Sequence, residues 1–297
     1  MSRIAVTGSS GLIGTAHVAA LRERGDTVVR LVRHAPRAAD EVRWDPSSRV
    51  LDPHVLDGVD GVVNLAGAGV GDHRWSPSYK HEILSSRTDS THAVATAVAA
   101  ADHPVRLVSG SAVGYYGDRG DEELTEASPP GRGYFPDVVQ AWEAAASPAV
   151  DAGASVAFVR SGIVLAPRGG ALGPLLRLAR LGLAGPIGWT GRQFWPWITL
   201  DDELGAILHL LARPDVTGPV NVVSPEPARQ REIVGAIGHA LHRPTLLPAP
   251  PPALRIYLGE FAGEILGGQR IVGDVLRGSG YRFTHPDLEG AARWLVA

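Results

Sequence analysis

The first segment with the residue types and spacing for chemistry is a glycine-rich turn, Thr7–Gly14, directly after the apolar run Ile4–Val6. Gly8 allows a tight turn out of a strand, Gly11 lets backbone approach a pyrophosphate, and Gly14 allows close helix–strand packing. The helix that follows would offer free N–H groups and its positive dipole end to phosphate. The spacing G-x-x-G-x-x-G between a strand and a helix therefore predicts a dinucleotide site.

The end of the next predicted strand, Thr27–Val32, indicates which dinucleotide is bound. An acidic residue there would hold a ribose 2′-hydroxyl. The chain instead has Arg33, with Arg30 and Arg37 nearby, and a guanidinium suits a 2′-phosphate. We therefore predict NADP rather than NAD. The alternative is that Arg33 is a solvated strand end.

The elements that must position these residues alternate between strand and helix, which is typical of a parallel sheet. Two of the later strands end in small residues or hydroxyls, at the edge where open α/β sheets bind ligands. The character of the chain changes at Gly162. We expect an α/β fold: a Rossmann-type doubly wound parallel sheet in residues 1–161 and a smaller C-terminal substrate lobe in residues 162–297. The further strands are predicted at 42–45, 62–67, 105–111 and 156–160, and helices at 75–101 and 137–150.

Composition excludes several classes of function. The chain has 297 residues, a net charge of −3 and no cysteine, so disulfides, thiolate zinc sites and a Cys nucleophile are excluded. The charge favours neither a nucleic-acid partner nor an anionic membrane. No run is long enough to span a bilayer, and the N-terminus is predicted as a strand rather than a signal peptide, so we expect a cytoplasmic protein. The histidines lack metal-like spacing, and we expect no metal.

Aromatic residues are concentrated in one later segment. Trp189, Phe194, Trp195 and Trp197 lie within nine residues and include three of the seven tryptophans. They could line an aromatic substrate pocket, in which Arg192 would orient an anionic group. Tryptophan also fills cores and interfaces, and that alternative stays open.

Several motifs, in order along the chain, carry a family resemblance. The broader set resembles the extended short-chain dehydrogenase/reductases of the nucleotide-sugar epimerase group: Thr7–Gly14, Asn64–Gly67, Arg160–Leu165 and Trp197–Asp202. A narrower set resembles the atypical branch called epimerase family proteins: Gly110–Asp118, Leu183–Gly188, Ala240–Pro244, Leu266–Arg270 and Gly280–Phe283. The resemblance covers essentially the whole chain. It implies the fold and the branch much more specifically than the reaction.

The resemblance also implies a catalytic tyrosine with a lysine four residues later, where the lysine lowers the tyrosine pKa and the tyrosine moves a proton. Aligning Glu143 with the glutamate that often follows the lysine puts Phe135 at the tyrosine place and Val139 at the lysine place. Lys80, the only lysine, is far away in sequence. The usual acid–base pair is therefore absent, although Ser111 can fill the family's serine role.

Two tyrosines could substitute for the missing pair. Tyr115 and Tyr116 follow Ser111 closely, and a phenol without a cationic neighbour keeps a pKa near about 10, so it acts more readily as an acid than as a base. The alternative is that these tyrosines only pack. Two hypotheses follow: an NADP-dependent oxidoreductase or epimerase-like enzyme with an unusual proton donor, and a catalytically silent NADP-binding sensor or interaction protein.

The remaining expectations concern the ligands and the later part of the chain. By the resemblance, a segment near 195–224 returns to the main sheet, and a homodimer is typical of the family. We expect a small-molecule substrate, with Trp189, Arg192 and Trp195 as candidate contacts. The predicted NADP-binding residues lie at the glycine turn, at strand ends or on the following helix: Thr7, Gly8, Ser10, Gly11, Leu12, Ile13, Gly14, Arg33, Leu65, Ala66, Gly67, Arg87, Ser109, Gly110, Arg160 and Gly162.

Overall fold

The computed structural model describes residues 1–170 and 172–297. Strand formation follows short apolar runs, and the central strands are buried on both faces, as parallel strands usually are. The strands are β1 (Arg3–Thr7), β2 (Thr27–Val32), β3 (Glu41–Arg43), β4 (Gly61–Asn64), β5 (Arg106–Ala112), β6 (Glu123–Leu124), β7 (Val156–Ser161), β8 (Ile163–Leu165), β9 (Phe194–Trp195), β10 (Trp197–Thr199), β11 (Gly218–Val222), β12 (Ala228–Arg229) and β13 (Arg270–Ile271).

Helices connect the strands and cover the sheet. Short 3₁₀ turns at Pro46–Ser48, Pro53–Leu56, Val113–Tyr116 and Gly259–Phe261 lie between them. The helices are α1 (Leu12–Glu23), α2 (Pro77–Ala99), α3 (Tyr134–Ala144), α4 (Ser147–Asp151), α5 (Gly173–Arg180), α6 (Leu200–Ala212), α7 (Gln230–Ala240), α8 (Pro251–Leu258), α9 (Ala262–Leu266), α10 (Asp274–Gly278) and α11 (Leu288–Val296).

The central sheet has seven parallel strands in the order β11-β7-β5-β4-β1-β2-β3. Between β1 and β4 the chain reverses the direction in which it adds strands, and open α/β sheets bind dinucleotides at such a point. Helices α1 and α6 cover one face and α2 the other, with a buried apolar cluster on each side. The prediction of a Rossmann-type doubly wound parallel sheet is confirmed.

The later part of the chain builds a third apolar cluster around helices α5, α7 and α11, in which Leu176, Ile233 and Leu295 are buried. Strand β11 lies beside β7 in the central sheet, pairing Val220 with Val159. By contrast, β10 pairs with β8, and β9 pairs with β12, in separate two-stranded sheets. The chain therefore leaves the central sheet after β7 and re-enters it at β11.

Several predicted bounds differ from the observed ones; the strand predicted at 62–67, for example, ends at Asn64. The third strand covers Glu41–Arg43 instead of residues 42–45. The helix predicted at 137–150 begins earlier, at Tyr134, and ends at Ala144, after which α4 starts. Pro148 lies at the start of α4, and its missing N–H cannot continue the hydrogen bonding of α3, which explains the interruption.

Candidate cofactor and catalytic site

The glycine turn after β1 is packed so closely that side chains do not fit there. Gly8 has φ +63°, and a Cβ there would lie 2.4 Å from the Leu65 carbonyl oxygen. A Cβ on Gly14 would lie 2.1 Å from the Gly8 carbonyl oxygen. Helix α1 begins after Gly11 with no side-chain cap from the described residues and no acidic residue in its first turn. Its first N–H groups thus face the turn and suit a phosphate.

Thr7 fixes the end of β1 to the end of β4. Its hydroxyl donates to Asn64 Oδ1 at 2.7 Å and accepts from the backbone N–H groups of Leu65 at 3.0 Å and Ala66 at 3.1 Å. Asn64 Nδ2 in turn donates to Thr91 Oγ1 at 2.9 Å. Because these amides are already used, Leu65 and Ala66 can shape the wall of a cofactor site without donating their own N–H groups.

Arg33 is exposed at the end of β2. In the described part of the chain we find no hydrogen bond or ion pair of its guanidinium, whereas Arg30 is held by Asp40, with Nε 2.8 Å from Oδ2. The two arginines therefore differ in role. Arg30 pairs with Asp40 at the strand edge, and Arg33 is available to a ligand.

Arg87 is a buried cation on α2, with only 8% of its surface exposed. Its Nη1 donates to the Ile83 carbonyl oxygen at 3.0 Å, its guanidinium lies 5.0 Å from the Trp142 ring centroid, and its Nε has no partner among the described residues. Burial lowers the pKa of Arg87 to about 10, so it stays charged at neutral pH. A Cβ on Gly67 would lie 3.3 Å from this side chain, which places the cation beneath the β4 loop.

The other predicted cofactor residues occupy the same sheet edge or its margins. Ser10 is exposed in the turn, while Leu12 and Ile13 open α1 half-buried. Ser109 and Gly110 belong to β5. Gly162 follows β7 and donates its N–H to Val222 at 3.0 Å, and a Cβ there would lie 2.4 Å from the Pro196 carbonyl oxygen.

A buried polar network lies where β5 and β7 meet α3. Ser111 Oγ donates to Glu143 Oε1 at 2.6 Å. Arg160 donates to the same carboxylate, from Nε to Oε1 and from Nη2 to Oε2, each at 2.8 Å. Burial opposes the charge on Arg160, yet Glu143 holds the pKa of its guanidinium above the ordinary value. Since a paired carboxylate only accepts, the Ser111 proton is directed toward Glu143, and its lone pairs remain for a substrate donor. The network also makes Arg160 a structural partner of Glu143.

The two candidate tyrosines differ in how deeply they are buried and in what their side chains contact. Tyr116 is fully buried; its hydroxyl donates to Asn221 Oδ1 at 2.8 Å and accepts from Arg160 Nη1 at 2.9 Å, and burial raises its pKa. Tyr115 is half-buried, and its ring centroid lies 3.5 Å from the Arg160 guanidinium carbon. Contrary to the sequence-based expectation, both phenols have a cationic neighbour. Only Tyr115 remains a candidate for contact with a substrate.

The places of the family's tyrosine and lysine are filled by apolar side chains. The Phe135 ring packs against Gly114, where an added Cβ would lie 2.2 Å from it, and Val139 is fully buried. One expectation needs correction. Lys80 is distant in sequence but not in space, because its Nζ lies 5.0 Å from the ring centroid of Tyr134, whose hydroxyl donates to the Lys80 carbonyl oxygen at 2.7 Å.

The aromatic residues near position 190 do not form one pocket. Trp195 and Trp197 are buried in the C-terminal cluster, where Trp195 Nε1 donates to the Ile265 carbonyl oxygen at 3.1 Å. Trp189 is 58% exposed, and Arg192 is exposed. This arrangement supports the core-packing alternative for Trp195.

A different aromatic group, unrecognised from sequence, lies above the start of α3. We call it the Trp75 cluster, and it comprises Trp75, Tyr79, Tyr134, Phe135 and Phe261. Trp75 contacts Tyr134 at 4.9 Å and Phe261 at 5.6 Å between ring centroids. The i, i+4 spacing of Trp75 and Tyr79 was the only local signal, since the other members come from distant segments.

Among residues 1–170 and 172–297, no group of three or more His, Cys, Asp or Glu side chains could hold a metal ion. Within the same residues, none of the helices combines the length and the apolar character that crossing a bilayer requires.

Comparisons with known proteins agree with this architecture. Residues 249–295 match a domain of unknown function, DUF1731. An epimerase family protein of Mycobacterium bovis is 42% identical over 283 residues, covering 95% of this chain and 93% of that protein. The crystal structure of human epimerase family protein SDR39U1 (isoform 2) with NADPH has a TM-score of 0.91 at 34% identity and covers 99% of both chains. A UDP-N-acetylglucosamine 4-epimerase from Bacillus cereus shares the fold, with a TM-score of 0.81 at 17% identity over 100% of this chain and 98% of that one.

Residues 4–223 match the NAD dependent epimerase/dehydratase family, which is about three quarters of the chain. The relatives and the structural match span nearly the full length on both sides. The chain therefore belongs to the NAD dependent epimerase/dehydratase family, in its branch of epimerase family proteins.

Proposed function

We propose that this protein is an NADP(H)-dependent oxidoreductase or epimerase-like enzyme that acts on a small molecule without the usual Tyr-x-x-x-Lys pair. The observation that carries the proposal is the carboxyl edge of the sheet, with the uncapped start of α1 after β1 and two arginines free of carboxylate partners among the described residues, Arg33 after β2 and Arg87 beneath the β4 loop. The NADPH bound to the human relative supports the choice of cofactor.

Each residue has a defined task in this proposal. The Gly8–Gly14 turn and the start of α1 hold the pyrophosphate, and Arg33 binds the 2′-phosphate. Arg87 attracts the negatively charged cofactor from beneath the β4 loop. The bound nicotinamide supplies or accepts a hydride. Tyr115, supported by Arg160, moves the proton, while Ser111 accepts a hydrogen bond from a substrate hydroxyl.

Arg33→Ala tests the cofactor assignment. We expect the Kd for NADPH, measured by fluorescence titration, to rise at least about tenfold, because a charge-assisted contact to the 2′-phosphate is lost. The Kd for NADH should stay unchanged, and Arg37→Ala, another exposed arginine nearby, is the matched control. Equal NADPH and NADH affinities in the wild type, unaltered by Arg33→Ala, would show that the assignment is wrong.

A second candidate function is a catalytically silent NADP-binding protein. It is favoured by one observation, the apolar Phe135 and Val139 at the places of the catalytic pair. Transfer of deuterium from 4-deuterated NADPH to a panel of carbonyl compounds, followed by mass spectrometry, separates the two candidates. The enzyme should transfer label, and Tyr115→Phe should slow transfer about 100-fold while NADPH affinity is kept. No transfer to any compound favours the silent protein.

We also propose a functional division near residue 161. The part up to Ser161 carries most predicted cofactor contacts as well as Ser111 and Tyr115, and residues 162–297 form the lobe that covers the substrate, apart from β11 in the central sheet. The division is supported by the separate C-terminal apolar cluster around α5, α7 and α11.

A further inference from the structure

One segment of the C-terminal part is anchored mainly at its C-terminal end, where Ala262 is buried, Ile265 and Leu266 pack against the C-terminal cluster, and the Ile265 carbonyl oxygen accepts from Trp195 Nε1. Residues 250–266 comprise α8, a 3₁₀ turn and α9, and we call them the lid segment. None of the eight residues of α8 is buried, and its apolar side chains Ile256 and Tyr257 are 75% and 79% exposed. A helix without a buried face gains little from packing and can move at low cost.

The Phe261 side chain connects the lid segment to the site. The Phe261 ring lies in the Trp75 cluster, 5.6 Å from Trp75, which itself lies 6.1 Å from Phe135. Gly71 forms another wall, since a Cβ there would lie 3.2 Å from Phe261 Cε1. The ring thus occupies an aromatic recess directly beside Phe135, at the place of the family's catalytic tyrosine.

An ion pair next to this ring holds the segment down. Lys80 Nζ contacts Glu260 Oε2, and the two side chains are 27% and 63% exposed. Such a solvated pair is weak and can open readily. The residue before it, Gly259, has φ +65°, a conformation that glycine adopts without strain, and the prolines at 250–252 restrict the other end of α8. The lid segment therefore has a stiff end at the prolines, a flexible turn at Gly259 and a weak contact at the Lys80–Glu260 ion pair.

We propose that the recess lined by Gly71, Trp75 and Phe135 is the subsite for a flat, apolar ring of the substrate, and that Phe261 fills it until the lid segment opens. This inference rests on the proposed function, because it places the subsite beside the reacting centre of a small-molecule enzyme. The phenyl ring of Phe261 shows which shape the recess accepts. Aromatic rings gain from edge-to-face and offset contacts beyond their buried area, so a substrate ring can replace it.

The only lysine of the chain makes lid opening measurable. Lys80 is acetylated with a limiting amount of an amine-reactive reagent, and the product is quantified by peptide mass spectrometry relative to acetylation of the amino terminus of the same molecule. The ratio reports how often the Lys80–Glu260 contact is open. Phe261→Ala should raise the Lys80 labelling ratio about threefold or more, because the Lys80–Glu260 ion pair loses the ring contact beside it and is weak by itself. Tyr257→Ala, an exposed aromatic on the same segment, is the matched control and should leave the ratio unchanged. Equal ratios in the wild type and Phe261→Ala would overturn the lid.

Indole tests the subsite itself. In the wild type, indole should compete with Phe261 and raise Lys80 labelling, whereas cyclohexylmethanol, which is not flat, should do so less. In Phe261→Ala the recess is already vacated, so indole should bind more tightly, by saturation-transfer NMR, without a further rise in labelling. No effect of indole in the wild type, or an equal rise in both proteins, overturns the subsite. NADPH titration of the same samples keeps the two proposals apart: loss of NADPH binding would contradict the proposed function, and normal binding without the labelling response would contradict only this inference.

Discussion

At the scale of single residues, Glu203 has an unusual environment for a carboxyl group, because it is buried beside Ser161 without a cationic partner among the described residues. It lies in the first turn of α6, fully buried, and its Oε2 has no partner among the described residues. Ser161 Oγ donates to Oε1 at 2.5 Å. Burial raises the pKa of this carboxyl to about 7, an effect that the Ser161 hydrogen bond only partly offsets. Glu203 is therefore largely protonated in the folded protein at slightly acid pH.

The sign of the pH effect follows from this raised pKa. Between the unfolded value of about 4.3 and the folded value of about 7, the folded state binds a proton that the unfolded state lacks, so the free energy of unfolding falls as pH rises. We expect Glu203→Gln to remove this dependence. The free energy of unfolding of this variant minus that of the wild type, measured by urea unfolding, should rise by up to about 3 kcal/mol from pH 4 to pH 8.

A matched control for this experiment is Glu289→Gln, because the Glu289 side chain is 75% exposed. It should show no such change with pH. Burial lowers the pKa of His17 to about 4 and destabilises the protein in acid, but this contribution is common to all three proteins and cancels in their differences. A Glu203→Gln difference that is constant with pH would contradict the prediction.

Residues also show the limits of what the sequence can predict. The role proposed for Arg33 could be predicted from sequence because it depends on a local position, the end of a strand after the glycine turn. The environment of Tyr115 could not, because its cation comes from Arg160, 45 residues later in the chain. Spacing along a chain indicates contacts within one element, whereas the Ser111–Glu143–Arg160 network needs the register of β5 and β7 and the position of α3.

At the scale of elements, the close packing of α1 on β1 gives a direct test. A Cβ on Gly14 would lie 2.1 Å from the Gly8 carbonyl oxygen, and no rotamer change can relieve this contact because neither atom moves with a side-chain torsion. Gly14→Ala should therefore shift α1, lower the free energy of unfolding by about 1–3 kcal/mol, and weaken NADPH binding, measured by fluorescence titration.

The matched control is Gly235→Ala in α7, where an added Cβ meets nothing within 4 Å. Alanine is the better helix former, so this variant should be unchanged or up to about 1 kcal/mol more stable, with normal NADPH affinity. If Gly14→Ala behaves like Gly235→Ala, the turn does not depend on close packing.

At the scale of the whole molecule, the sheet was predictable because strands and helices alternate with recognisable turns. The C-terminal part was less so, because its elements are short and combine over long distances. The Trp75 cluster joins α2, α3 and the lid segment, and β13 pairs with β6 across nearly 150 residues. Tryptophans close together in sequence, by contrast, were separated by the fold into core and surface.

The strand order of the sheet also governs how the chain can assemble during translation. Strands β1 to β5, with α1 and α2, can pair as they leave the ribosome, since N-terminal parts generally fold first. Strand β11 and the β6–β13 pair require residues beyond position 217, which are synthesised later. The glycine turn is therefore complete while the C-terminal lobe is still missing, so a nascent chain can meet its dinucleotide before the lid segment exists. Binding at that stage would stabilise the half-built sheet by mass action.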